Sequence, residues 1–477
     1  WVRMAPFFCI FPMALMPKLW HGVYGKNFTK PMAFKARGLI LAAPASGSGK
    51  TIVTLGLLRS LARQGVKITP IKVGPDYIDP VFHEIASGRP CRNLDTWAMR
   101  ASTVKQGVVD ASAKRSLVIC EGVMGLFDGA RGVDPKRNGS TASLARETGW
   151  PVILVVDAAA QAASAAAVVR GFLSHDLTVP IEGVLFNRVG SASHETILRE
   201  AMGEALPEMP VLGCLPHVAS LNLPSRHLGL VQAIEHSDFS ELLERAADWI
   251  ETNVDLEMLM NLASSKGETG VSRGETDTFP LIGDRIAVAR DSAFSFIYPH
   301  VLESWQRAGA CIDFFSPLAD QGPNSEADAV YLPGGYPELH AGRLAANSVF
   351  HSLMSSARER GAAIFGECGG YMVLGEELTC EDGRTHSMLG FLPIQTSFAK
   401  RELNLGYRMV RMLTKSLLGE EGMVFRGHEF HYATIAREMG GQPLFQASNA
   451  AGEDMGKIGL VAGRVAGSFV HLIDQSS

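Results

Sequence analysis

From residue 37 onward, short uninterrupted apolar runs alternate with longer amphipathic segments. The runs read "RGLILAAP", "VKITPIKV", "SLVICEGV", "WPVILVVDA", "IEGVLFNRV" and "MPVLGCLP", and Gly or Pro bounds most of them. Strands that are apolar on both faces need cover on both faces, so the alternation predicts an α/β domain with a parallel sheet wrapped by helices. The character changes over 251–283, where the stretch after Leu262 turns polar and rich in Ser, Gly, Thr and Glu. That segment is expected to be an interdomain linker. A second strand series follows, "RIAVARD" (285–291), "ACIDFFSP" (310–317), "ADAVYLPGG" (327–335) and "GAAIFGECGG" (361–370), before a β-rich tail with "FVHLI" near its end. The expected organisation is an extension over 1–31, one α/β domain over 32–250, the linker, and a second α/β domain over 284–477.

Length agrees with two cores, since 477 residues exceed one ordinary domain and divide into units of roughly 200 residues. A net charge of −5 gives no basic field for nucleic acid or anionic membrane, which points to small-molecule partners. Seven scattered cysteines with no CxxC pair fit reduced thiols of a cytoplasmic protein better than disulfides or a zinc site. The apolar stretch at 5–16, "APFFCIFPMALM", is shorter than the ~20 residues a bilayer span needs and carries two prolines. Residues 1–31 are therefore expected to be an unstructured extension, with Met32 opening the run into the first strand.

Candidate chemistry begins at "PASGSGKT" (44–51). It matches the phosphate-loop pattern G-x-x-x-x-G-K-[ST] except at its first position, where Pro44 stands for Gly. Backbone N–H groups of Ser46, Gly47, Ser48 and Gly49 can cradle a β-phosphate, Lys50 can span the β and γ oxygens, and Thr51 can offer a hydroxyl to Mg²⁺. Magnesium also needs carboxylates. "IKVGPDYIDPVFH" supplies Asp76 and Asp79 and "VICEGVMGLFDG" supplies Glu121 and Asp128, each pair just past a strand, where an open parallel sheet gathers its ligands. Four acids exceed one metal's need, so some cap turns or position a substrate.

"GPDYIDP", "NLDTWAM" (93–99) and "EGVMGLFDG" closely resemble the cobyrinic and hydrogenobyrinic acid a,c-diamide synthases of cobalamin biosynthesis, whose ATP domain is similar to dethiobiotin synthetase. The resemblance implies ATP-dependent activation of two acetate side chains on a tetrapyrrole-derived ring as acyl phosphates. By the same match, Lys50 and Lys72 would neutralise developing charge, and Asp76, Asp79, Glu121 and Asp128 would position substrate and metal. Thr51, Asp76 and Glu121 are the expected Mg²⁺ ligands. Asn187 in "LFNRVG" resembles that domain's adenine-reading Asn.

A second constellation centres on Cys368, set between a buried strand and a helix as Gly366-Glu367-Cys368-Gly369-Gly370. Small residues on both sides permit a tight strand-to-helix turn with a nucleophile at its apex, and a helix N-terminus there is expected to lower the thiol pKa. With "YLPGGYPEL" (331–339), "RGHEFHY" (426–432) and "GSFVHLIDQ" (467–475), this resembles a class I glutamine amidotransferase domain. On that match His471 is the base, Gly334, Gly335 and Gly369 supply the oxyanion hole, and His428 and His431 are structural or substrate-facing. Many relatives end His-Leu-His, whereas this chain reads His471-Leu472-Ile473 with Asp474 next, so the third, orienting carboxylate stays open.

Taken together, ammonia released from glutamine at Cys368 would attack an acyl phosphate held near Glu121. A sister amidation on nickel-sirohydrochlorin and a partitioning-type ATPase switch are the rival readings, and a homodimer is one option for the assembly. A switch has no need of a Gly-flanked Cys368 or of the "DYIDP" acids.

Overall fold

The computed structural model describes residues 37–113, 116–221, 238–265 and 279–476, with two short strands at 225–226 and 229–230. The expected extension over 1–31 lies outside them. Seven strands form the first sheet: β1 (Gly38–Ala42), β2 (Ile68–Val73), β3 (Arg92–Leu94), β4 (Leu117–Glu121), β5 (Val152–Asp157), β6 (Ile181–Val189) and β7 (Val211–Pro216). Their order is β3-β2-β4-β1-β5-β6-β7 and every pairing is parallel. All five residues of β1 and of β4 are buried, as continuous apolar runs require. Because β1 leads to β2 on one side and β4 leads to β5 on the other, the direction of connection reverses between them and a crevice opens beyond the carboxyl ends of β1 and β4.

Two helices place that crevice's chemistry. Helix α1 (Lys50–Arg63) starts behind Gly49, whose φ of 87° suits glycine, and no side chain caps it, so its first N–H groups are left for a ligand. Further along, a Cβ on Gly56 would lie 2.6 Å from the Ala246 carbonyl, so the glycine admits the helix Phe239–Asn253. Helix α2 (Asp79–Ser87) starts differently: Asp76 Oδ1 accepts from the N–H groups of Ile78 and Asp79 at 2.8 and 3.2 Å.

The second sheet has ten strands. Cys311–Phe315, Arg285–Ala289, Ala329–Leu332, Ala363–Glu367 and Val465–Ser468 run parallel in that order. Antiparallel strands Asp454–Ala462, Gln442–Asn449, Asn404–Met412, Val424–His431 and His471–Gln475 extend it.

Both ends of the expected linker over 251–283 carry ordered elements, and 266–278 lies outside the described residues. Asn253 ends one helix and Leu256–Ser265 forms another, with Leu259 and Ala263 buried against the first domain. The apolar spacing in "LEMLMNLA" gives that helix a face to bury, which outweighs the polar run behind it. Phe279 and Ile282 are also buried, and the Phe279 N–H donates to Ser304 Oγ at 2.7 Å.

One apolar core runs through both domains, joining Tyr77, Trp97 and Met99 to Phe296, Tyr298 and Leu472. Trp97 stacks on Tyr407 with centroids 4.4 Å apart, and the Tyr407 hydroxyl donates to buried Asp95 at 2.6 Å. Asp474 accepts from Arg100 Nη2 at 2.6 Å, the Arg100 N–H at 2.9 Å and Thr103 Oγ1 at 2.6 Å. No helix among the described residues is long and apolar enough to cross a membrane.

Candidate functional site

At the crevice of the first sheet, the phosphate loop and the β4 carboxylate meet. Thr51 Oγ1 donates to Glu121 Oε1 at 2.8 Å, and Lys50 Nζ donates to the Met124 carbonyl at 2.6 Å. Lys72, at the end of β2, is buried and donates to Asp79 Oδ2 at 2.5 Å and Glu121 Oε1 at 2.9 Å. Burial opposes the charged ammonium, but Asp79, Glu121 and Asp76 together raise its pKa well above the ordinary value. Glu121 is likewise buried, yet Lys72 and His83 hold its carboxyl below the usual range. Burial lowers the Lys50 pKa. Lys72 and Glu121 keep their charges because each touches an opposite charge, whereas burial and the Asp76 carboxylate push Asp79 up to about 8.

The expected acids part company here. Glu121 and Thr51 converge, which fits Mg²⁺, an ion that takes one or two protein carboxylates and fills its remaining positions with water and phosphate oxygens. Asp76, expected as a third ligand, uses Oδ1 to cap α2 and lies 3.7 Å from Lys72 through Oδ2. Asp128 accepts from the Gly125 N–H at 2.8 Å, a turn contact that shapes the loop beside the phosphate site. Among the described residues no group of three or more His, Cys, Asp and Glu side chains is arranged as a metal site. Asn187, expected to read adenine, gives Nδ2 to the Ser48 carbonyl at 2.9 Å and accepts from the Arg188 N–H, so it braces the phosphate loop. A Cβ on Gly49 would collide with that Asn187 amide.

The cysteine turn is strained as its sequence demands. Cys368 has φ 47° and ψ −104°, ahead of the helix Gly369–Leu374. A Cβ on Gly370 would strike the Leu332 carbonyl, and one on Gly366 would come 2.8 Å from the Gly370 carbonyl, so both flanks must be small. His471 and Cys368 converge on Gly334, whose added Cβ would meet the His471 ring and lie 3.2 Å from the Cys368 Cβ. Gly335 and Gly369 are also close, since a Cβ on Gly369 would sit 2.9 Å from the Gly335 nitrogen. The expected low thiol pKa is not found: burial pushes Cys368 up, and the Gly369 N–H only partly opposes it. Burial, then His428 and His431, lowers His471 to about 3.

Asp474, left open as an orienting carboxylate, accepts from Arg100 and Thr103 of the first domain. Between the two constellations lies a cavity of about 420 Å³ lined by Asp76, Asp79, Met124, Tyr407, His428 and Phe430. His428 is opposite His471 in the sheet register. Its Nδ1 is buried without a hydrogen-bond partner, whereas His431 is tied to Glu429 and the Ala433 carbonyl. Tyr77, set between Asp76 and Asp79, packs its ring 4.5 Å from the His471 ring.

Comparison with known proteins follows the same division. Residues 39–231 match the CobQ/CobB/MinD/ParA nucleotide binding domain, and residues 285–477 match the CobB/CobQ-like glutamine amidotransferase domain. A hydrogenobyrinate a,c-diamide synthase of Brucella anthropi is 52% identical over 441 residues, covering 92% of this chain and 98% of that protein. The enzyme of that name from Rhodobacter capsulatus is 48% identical over 439 residues, covering 92% and 98% respectively. The chain belongs to the hydrogenobyrinate a,c-diamide synthase family.

Membership in the hydrogenobyrinate a,c-diamide synthase family sets aside the ATPase-switch reading and makes the chain a glutamine amidotransferase ligase. Several residues placed at its sites carried no signal in the sequence. His83 Nε2 contacts Glu121 Oε2 at 2.5 Å, and Arg188 Nη2 donates to the Gly47 carbonyl at 2.9 Å. Tyr77 and Tyr407 became visible only when the domains met. Tyr77, His83 and Arg188 do lie inside quoted segments, which is the available hint, whereas Tyr407 lies in none of them.

Proposed function

We propose that this chain amidates the a and c acetate side chains of hydrogenobyrinic acid, using ATP to form acyl phosphates and glutamine as the ammonia source. The observation that carries this reading is the interdomain cavity, with the Asp76–Asp79 loop on one wall and the strand of His428 on the other. It puts a large, mostly apolar space against carboxylate and phosphate chemistry. The names of the relatives favour the cobalt-free acid over cobyrinic acid.

In this reading the phosphate loop, Ser46 to Thr51, holds ATP with Lys50 on the β and γ oxygens. Thr51 and Glu121 would hold Mg²⁺, which supplies charge neutralisation at the transferring phosphoryl group. Lys72, already charged and buried, faces the same region and stabilises negative charge on the activated carboxylate. Asp76 and Asp79 hold the loop that borders the substrate.

On the other side, His471 takes the Cys368 proton as sulfur attacks the glutamine amide, and N–H groups near Gly334, Gly335 and Gly369 donate to the oxyanion. His471 returns the proton to the leaving ammonia, and water then releases glutamate from the thioester. Ammonia attacks the acyl phosphate, forming the amide and releasing phosphate. Parallel assays on hydrogenobyrinic and cobyrinic acids, with mass detection of products, test the substrate. A diamide from the first acid, dependent on both ATP and glutamine, is expected, and product from the cobalt form alone would refute the assignment.

A further inference from the structure

We infer that Glu367, the residue immediately before the nucleophile, is the carboxylate that positions His471 in the glutaminase site. The inference rests on the reading of Cys368 and His471 given above. Both ring nitrogens of His471 are buried without a hydrogen-bond partner. A base whose ring is left unheld has no fixed orientation or tautomer, and the usual remedy is a carboxylate on the nitrogen away from the nucleophile.

Three of the carboxylates in the neighbourhood have distinguishable duties. Asp474 is engaged by Arg100 and Thr103 across the domain interface. Glu429 is engaged by Arg408 at 2.6 Å and His431 at 2.9 Å. Glu367 is different, because its Oε2 lies 4.0 Å from His471 Nδ1 and its Oε1 accepts the N–H of Leu472, the next residue, at 3.0 Å. Oε2 also accepts the Tyr331 hydroxyl at 2.6 Å, and a carboxylate oxygen has a second lone pair for Nδ1–H. The side chain therefore already anchors the backbone that carries the histidine. The remaining gap exceeds a hydrogen bond by about 1 Å, a contact that commonly tightens when substrate binds.

The electrostatics agree. Burial raises the Glu367 carboxyl to about 7, against the Tyr331 and Leu472 hydrogen bonds. The ionisable groups facing it are Tyr331, Tyr298, Cys368 and His471, while Tyr77, His428, His431 and Glu429 face the histidine from the other elements. A raised carboxyl pKa means that the form able to hold an imidazolium is present above about 7 and is lost as pH falls. Glutaminase kcat/KM should therefore rise through neutrality with a limb belonging to Glu367.

The test uses the full chain with Glu367→Gln, Glu367→Asp and Cys368→Ala, each assayed for glutaminase and for ammonia-dependent synthesis. Glu367→Gln should lower glutaminase kcat on the order of 10²-fold or more, with a smaller change in KM for glutamine, and should abolish the limb near 7. Glu367→Asp should recover part of the rate with the limb displaced, and both variants should keep ammonia-dependent synthesis, which reports an intact fold. Wild-type kcat and an unchanged pH limb in Glu367→Gln overturn the inference. Parallel loss of glutaminase and ammonia-dependent synthesis in both Glu367 variants overturns it equally, since it marks a structural role. If Cys368→Ala itself retains glutaminase activity, the underlying reading of the site fails; if it loses that activity while Glu367→Gln does not, only the role of Glu367 fails.

Discussion

The two reaction centres of this chain bury ionisable groups in opposite ways. Around Lys72 the ammonium and Glu121 keep matched charges, with His83 and Thr51 also on Glu121, while Asp79, on the same ammonium, is pushed up to about 8 by burial and Asp76. Around Cys368 they are suppressed: burial raises the thiol and lowers His471 to about 3. The contrast follows from what each centre receives. Phosphates and a metal arrive charged and need fixed opposite charges in place, whereas a neutral amide needs a dry site whose ion pair forms during the reaction. Tyr77 belongs to both, since its loop carries Asp76 and Asp79 and its ring packs on His471.

The largest expected effect breaks the charged centre. Lys50→Ala or Glu121→Gln should reduce amidation at least ~10³-fold whether glutamine or ammonia supplies nitrogen, because neither nitrogen source replaces the activated carboxylate. Full activity of Glu121→Gln, followed by product mass, would remove the matched-charge centre from the chemistry. The interface comes next. Asp474→Ala removes the carboxylate that accepts from Arg100 and Thr103, a loss on the order of 1.5–3 kcal/mol that should lower the thermal midpoint and weaken the join between the centres. An unchanged midpoint would show that the clamp contributes nothing. The smallest effect should come from Tyr77→Phe, which deletes the hydroxyl contact to the Phe430 carbonyl at 3.2 Å and keeps the ring stack. About 1 kcal/mol of stability should be lost, with glutaminase activity largely retained.

What was legible in the sequence was local. The phosphate loop, the acids past strand ends and the glycines flanking Cys368 are read within a few residues, because each reflects one turn's steric demand. What was not legible is made by distant segments. Asp95 and Tyr407 are more than 300 residues apart and meet only because the domains dock, so "NLDTWAM" announced a family without announcing an interface. Nothing local to the glycine turn marks Glu367, which meets His471 only because the last strand passes beside it. The thiol was misjudged for a physical reason: the expected helix is only Gly369–Leu374, a short element whose single N–H contact does not offset full burial. The helix Leu256–Ser265 inside the expected linker forms because the apolar spacing there outweighs the polar composition that follows.

The central claim is that ammonia is made at one centre and consumed at the other, and it is tested most directly in Cys368→Ala. With ATP and hydrogenobyrinic acid, this variant should lose glutamine-dependent synthesis by at least ~10³-fold. It should regain diamide formation when ammonium salt is supplied above pH 8, where more free ammonia is present. A correctly folded Cys368→Ala enzyme that binds ATP yet stays inactive with ammonia would contradict the account and place Cys368 in the synthetase chemistry.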